Sequence, residues 1–404
     1  MTERIYYTDP YATEFDATVV AVEPSADGRQ AIVLDRTAFY PTSGGQPFDV
    51  GVLGSTPIVD VVDTDDGRIL HVVDGEVGAT IGAGAGVHGR VDWTRRFDHM
   101  QQHTGQHVLS AAFDRLFKVR TVSFHLGSES STIDLAREVT AQEIAAAESE
   151  ANRVVWEDRP VTIRFADAAD AAALPLRKES TRKGELRLID VEDFDVSACG
   201  GTHVRRTGAI GVIAAAGSER FRGGTRLEFQ CGGRALDGYR ALRASVTNST
   251  RLLSVLPAEL PGAIERMQGE GKDLRRELKD LQSRLARYEA LALAAAAEPH
   301  GNTRVTVKAL EGWDANGLKA IASAIADQPG HLAFLLSAAA PASIVIARAK
   351  DVSIDCASLL KEMTAKFGGK GGGRPEIAQG GGLQGNIEAM LDEGRRMIGR
   401  SVDR

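Results

Sequence analysis

Cysteine is scarce in this chain. There are three in 404 residues, Cys199, Cys231 and Cys356, too few and too widely spaced for a disulfide framework, which points to a reducing, cytoplasmic compartment. Long hydrophobic runs are missing too: LALAAAA at 291–297 falls far short of the roughly 20 apolar residues that cross a bilayer, so no membrane segment is expected. The opening MTERIYYTDP lacks the charged and then apolar stretches of a secretory leader. Positive charge is not in excess: 48 Lys and Arg stand against 55 Asp and Glu, a net charge of −7. That excludes a globally basic nucleic-acid binder and leaves a local basic patch open.

Glycine is the residue in surplus, 43 in 404 without a collagen-like triplet, against a usual share of about 7%. Hydrophobic residues at 43% and charged residues at 25% exclude bulk disorder, and the length suggests roughly two to three domains. The first ninety residues alternate short β-like runs (ATVVAV, AIVLD, PIVDVVD, ILHVV) with glycine turns, as in a small antiparallel barrel or sandwich. From about 97 the period changes to that of a helix, with Met100, Val108, Leu109, Ala112, Phe113 and Leu116 on one stripe. Thr140 and Glu143 form a capping-box signature for a second helix, and strand-like runs lead on to 232.

Residues 238–298 read as helix, with Leu274, Leu278, Leu281, Leu285 and Tyr288 spaced as a coiled-coil seam, equally compatible with a helical hairpin and with a homodimer. The last hundred residues alternate strand and helix around a glycine stretch. The expectation is an α+β multidomain chain: a small β-barrel over 1–90, an α/β domain over 91–237, a helical linker over 238–298 and a small α/β domain over 299–404.

His103 and His107 in HTGQH lie four apart on the first helix, so both imidazoles leave one face and can reach one metal. In CGGTH, Cys199 and His203 are also four apart, around a Gly-Gly pair that lets the backbone turn tightly. Three imidazoles and one thiolate have the number and softness for tetrahedral zinc. HTGQH lacks the glutamate that follows the first histidine of zincin helices, which weakens a metalloprotease reading. His71, His88, His300 and His331 have no such partners, and His99 and His125 read as supporting groups rather than ligands. Asp195 lies four before Cys199, and Asp98 a little ahead of His103.

The segments FYPTSGGQPFDVG, HMQQHTGQHVLSAAF, FHLG with STIDL, CGGTHVRRTGAIG and ERFRGGTRLEFQCGGRAL, in order through most of 1–237, resemble the alanyl-tRNA editing proteins, whose editing module is similar to that of alanyl-tRNA synthetase. GGKGGGRPEIAQGGG is similar to the glycine-rich motif of the DHHA1-type domain that ends the long members. With no aminoacylation domain ahead of the barrel, the resemblance implies free-standing editing in trans: hydrolysis of the ester joining serine above all, with glycine as a further candidate, to tRNA(Ala). It implies Zn2+ on His103, His107, Cys199 and His203. Of the polar groups expected near the metal, Thr42, Gln46, Thr104, Gln106, Ser123 and Thr202, it favours Ser123 or a neighbour on the TVSFH strand, and Gln46, for recognising the hydroxyl that alanine lacks. Thr42, Gly200, Gly201, Thr202 and Arg226 are then expected at the substrate, and Lys366, Lys370 and Arg374 at tRNA phosphates. A zinc can activate water or hold the substrate's amine or carbonyl; both roles stay open. The competing reading is a non-catalytic zinc protein that binds tRNA or a synthetase.

Overall fold

The computed structural model describes residues 1–75, 77, 81–167, 176, 177 and 185–402, which divide into two compact units, Met1–Asn248 and Ser249–Arg404. In the first unit, short strands β1 (Glu3–Arg4) and β4 (Arg36–Thr37) pair in parallel. Strands β2 (Glu14–Pro24), β3 (Gln30–Leu34), β5 (Gly51–Leu53), β6 (Thr56–Asp63), β7 (Ile69–Val73) and β8 (Gly86–Val91) close a barrel in the order β2-β3-β7-β6-β5-β8. The period of two is plain in β2, where Phe15, Ala17 and Val19 are buried and Glu14, Asp16 and Thr18 exposed. Phe15, Ile32, Leu34, Phe39, Ile58, Val61 and Ile69 fill the interior.

Helix α1 (Trp93–Phe117) starts where Asp92 accepts a hydrogen bond from the Arg95 amide and stops at Lys118, whose φ of 54° ends the helical run. Its middle is buried all round, from His99 and Met100 to Phe113. Helix α2 (Ala141–Trp156) carries the capping box read from the sequence, with Thr140 and Glu143 each bonding the other's backbone. Around them lie an antiparallel sheet in the order β14 (Ile213–Phe221), β15 (Gly224–Cys231), β10 (Ser131–Leu135), β9 (Thr121–Leu126), and a second of β11 (Val161–Ala166), β12 (Leu186–Val191) and β13 (Asp195–Ala198). Met100, Val108, Phe113, Ile133, Val154, Ile189, Leu227 and Phe229 belong to their shared core. Helix α3 (Gly232–Leu253) follows β15.

In the second unit, α4 (Leu260–Ala295) is one continuous helix. Ala286, Ala290 and Leu293 near its C-terminus are buried, while Leu274, Leu278, Leu281, Leu285 and Tyr288 are each more than half exposed. A six-stranded sheet runs in the order β16 (Glu298–His300), β17 (Thr303–Leu310), β18 (His331–Ser337), β19 (Ala342–Arg348), β21 (Ile377–Leu383), β20 (Lys370–Arg374), parallel only between β17 and β18. One face meets residues of α6 (Cys356–Phe367) and α7 (Ile387–Val402), the other α4 and α5 (Ala315–Ala326), so β18 is buried throughout and apolar from Leu332 to Leu336.

The glycine stretch forms the β20–β21 hairpin at the sheet edge. A Cβ on Gly371 would stand 3.0 Å from Leu360 of α6 and 2.6 Å from the Gly380 Cα, and one on Gly373 2.4 Å from the Ala378 Cα. Glycine lets these two strands and α6 come together. Among the described residues no helix is long and apolar enough to cross a membrane.

Candidate metal centre

Two local geometries create the site. On α1 the helical period stacks His103 over His107, their ring centroids 5.3 Å apart. After β13 the chain turns through Gly200 and Gly201 and brings Cys199 and His203 onto the same point. The turn needs glycine: a Cβ on Gly201 would lie 2.2 Å from His103 Cε1 and 2.9 Å from Gln46 Oε1. Cys199 Sγ is 3.3 Å from His103 Nε2 and 3.4 Å from His203 Nε2, and it accepts the Gly201 amide at 3.4 Å. One ligand atom from each of His103, His107, Cys199 and His203 lies within 4.8 Å of every other, so the four could hold one metal ion.

The outer nitrogens are as informative as the inner ones. His103 Nδ1 donates to Gln46 Oε1 at 2.8 Å. That amide's orientation is fixed by its neighbour, because the Thr202 backbone N–H, which can only donate, reaches the same oxygen at 3.1 Å while Gln46 Nε2 donates to Thr202 Oγ1 at 2.8 Å. His103 thus carries its proton on Nδ1 and presents a lone pair at Nε2. His203 Nδ1 lies 3.2 Å from Thr104 Oγ1, which also accepts the Val204 amide. His107 Nδ1 stands 3.4 Å from Asp195 Oδ2.

Electrostatics favour ligation. Burial pushes His103 down to about 3 and His203 well below its ordinary value, so both imidazoles are neutral. Burial raises the Cys199 thiol, but the hydrogen bond and charge of His107, the Gly201 amide and the nearby Arg187 together bring it below the ordinary thiol value. Two neutral imidazoles and a thiol drawn below its ordinary value suit a soft divalent metal, which binds deprotonated nitrogen and sulfur donors.

The remaining sequence candidates scatter. Gln46 and Thr202 are fully buried and bonded to each other. The loop that delivers Gln46 turns at Gly44 and Gly45, both at positive φ (58° and 88°), and lies against β9, where the Leu126 amide donates to the Gly45 carbonyl. Thr42 is exposed and closes the same loop by accepting the Phe48 amide.

Ser123, expected at the substrate, points the other way. Its neighbour Phe124 faces inward, its ring 5.2 Å from His103, so strand alternation sends Ser123 to the opposite face of the sheet, where its hydroxyl donates to Asp134. Arg226, directly across from Asp134, binds the same carboxylate at 2.7 and 2.9 Å and stacks over Phe221 at 3.6 Å. Ser123 and Arg226 are therefore joined to each other through Asp134, away from the donor cluster. Lys366 pairs with Glu393 at 2.7 Å, whereas Lys370 and Arg374 end the exposed strand β20. Gln106 donates to Ser110, His99 is buried outside the cluster, and His125 is exposed.

Sequence reasoning passed over two arginines. Arg96, fully buried in α1, bonds Asp49 and the carbonyls of Pro10 and Ala38, pinning the histidine helix to the barrel. Arg187 of β12 donates to the carbonyls of Tyr7, Cys199 and Gly201, holding the glycine turn from behind. Neither carries a motif signal, since an isolated arginine in a strand or helix reads as surface charge.

Comparison with known proteins adds a second line. Residues 302–399 match the DHHA1 domain model, 6–95 that of class II (A) tRNA synthetases, and 186–228 that of the threonyl and alanyl tRNA synthetase second additional domain. The chain is 34% identical to the alanyl-tRNA editing protein AlaX-L of Pyrococcus horikoshii, over 97% of this chain and 96% of that one. It is 33% identical to the alanine-tRNA ligase of Pyrococcus abyssi and 36% identical to that of Halobacterium salinarum, each over 94% of this chain but only 42% of the ligase. The C-Ala domain of Aquifex aeolicus alanyl-tRNA synthetase aligns over 25% of this chain and 96% of its own, at 22% identity and a TM-score of 0.24.

Proposed function

Because the chain belongs to the alanyl-tRNA editing protein family, we propose that it hydrolyses the ester joining serine, and secondarily glycine, to the 3′ end of tRNA(Ala), at a zinc ion held by His103, His107, Cys199 and His203. The observation that carries this reading is the two-layered arrangement of the histidines: His103 and His203 turn Nε2 to the Cys199 sulfur, and His103, His107 and His203 each meet a polar group at Nδ1. A metal bound there would supply Lewis acidity to an ester that is already activated. The chain's own part is to keep two imidazoles neutral, to hold His103 through Gln46 and Thr202, and to bring the Cys199 thiol below its ordinary value. Lys370 and Arg374, exposed on β20, are suited to the tRNA phosphates and make binding salt-sensitive.

Four protein donors also fit a closed structural zinc, as in a tRNA-binding protein without catalysis. Deacylation of seryl-, glycyl- and alanyl-tRNA(Ala) by the wild type, His107→Ala and Cys199→Ala, with zinc content measured on each, separates the readings. The hydrolase reading expects rapid loss of seryl-tRNA(Ala) in the wild type alone; a zinc-replete wild type that leaves it intact favours the structural reading.

A further inference from the structure

The three histidines are not held alike. His103 is met at Nδ1 by a neutral amide and His203 by a neutral hydroxyl, whereas His107 faces a carboxylate. Asp195, the first residue of β13, is 5% exposed. Its Oδ1 accepts from Arg177 Nε at 2.8 Å, and its Oδ2 from Arg177 Nη2 at 3.2 Å and from Ser197 Oγ at 2.9 Å. The same Oδ2 is 3.4 Å from His107 Nδ1, and that nitrogen is buried with no hydrogen-bond partner in reach of good geometry. A buried ring N–H is rarely left unmatched, and the gap to a charge-assisted bond is about half an ångström.

We propose that Asp195, locked by Arg177 and Ser197, is the positioning residue for His107: its carboxylate accepts a hydrogen bond from Nδ1–H, fixes the ring, and so commits Nε2 to the metal. This rests on the zinc reading above. Asp195 touches neither substrate nor metal in this role; it acts through His107. Charge matters as well as shape, because a carboxylate behind an imidazole strengthens the ring as a donor, which an amide or a hydroxyl does only weakly. His107 is then the strongest of the three imidazole donors.

Asp195→Asn is the informative variant. It preserves volume, but its amide nitrogen can turn toward Nδ1 and favour the tautomer with the proton on Nε2, which removes the lone pair that a metal needs. Zinc affinity of the full chain, measured by competition with a chromophoric chelator, should weaken by about 10- to 100-fold in Asp195→Asn and in Asp195→Ala. The visible spectrum of the cobalt-loaded Asp195→Asn protein should shift in its ligand-field bands while keeping the thiolate charge-transfer band of Cys199. A purely structural role predicts instead a lower unfolding midpoint of the metal-free protein with wild-type zinc affinity and cobalt spectrum. Wild-type affinity in folded Asp195→Asn overturns the proposal, whether or not Asp195→Ala folds. A wild type that takes up no zinc overturns both this assignment and the reading beneath it.

Discussion

Gln46 and His103, 57 positions apart, meet through a 2.8 Å hydrogen bond that fixes which nitrogen of the histidine is free. The glutamine belongs to a barrel loop and the histidine to the helix after it, so the glycine turn at 44 and 45 reaches the site by supporting a proposed metal ligand.

Gln46→Ala should therefore weaken zinc binding by about 10- to 100-fold while leaving the preference for seryl- over alanyl-tRNA intact among metal-loaded molecules. Chelator competition together with paired deacylation assays checks this. A collapse of the serine preference at full zinc occupancy would instead place Gln46 at the substrate.

Ser123→Ala should leave deacylation and zinc content at wild-type levels. The hydroxyl points to Asp134 on the far face of the sheet, and its loss removes one bond from the Ser123–Asp134–Arg226 group. A seryl-specific fall in rate would show that the strand presents its other face in the complex.

Arg96 and Asp49 form an ion pair with no solvent on either side. Arg96→Met should destabilise the protein by about 3 to 5 kcal/mol, because the carboxylate is left buried without its cation. The double variant Arg96→Met with Asp49→Asn should recover part of that loss. Urea unfolding of the four proteins of the cycle gives the numbers.

His71 sits inside the barrel between Thr37 Oγ1 at 2.7 Å and the Ile32 carbonyl at 2.9 Å, and burial pushes it from 6.5 down to about 4. The unfolded chain takes up this proton first as pH falls. The stabilisation is thus complete above about pH 6.5 and is lost progressively toward pH 4, a loss of about 3 kcal/mol. His71→Gln should flatten that part of the stability profile, as read from unfolding free energies at pH 7, 5.5 and 4.5. An unchanged slope would assign the acid sensitivity to other groups.

The sequence alone determined the features set by local spacing. Histidines four apart on a helix share a face, a cysteine and histidine four apart around two glycines can close on one point, and Thr140 with Glu143 caps the start of a helix. Alternation in residues 14–19 likewise required one face of β2 to be covered. Tertiary structure decided everything that depends on which face meets which neighbour. In β9 an irregularity pairs Asp134 with Ser123 but Leu135 with Thr121, and in that register Ser123 faces outward and Phe124 toward His103. The Gly-rich stretch forms the β20–β21 hairpin, where a Cβ on Gly371 would crowd Leu360 and the facing strand. The groups facing the outer nitrogens of the three clustered histidines, Gln46, Thr104 and Asp195, come from the barrel loop, from α1 and from β13. Spacing along the chain carries no trace of contacts 57 or 99 residues apart, because packing of whole elements brings them together.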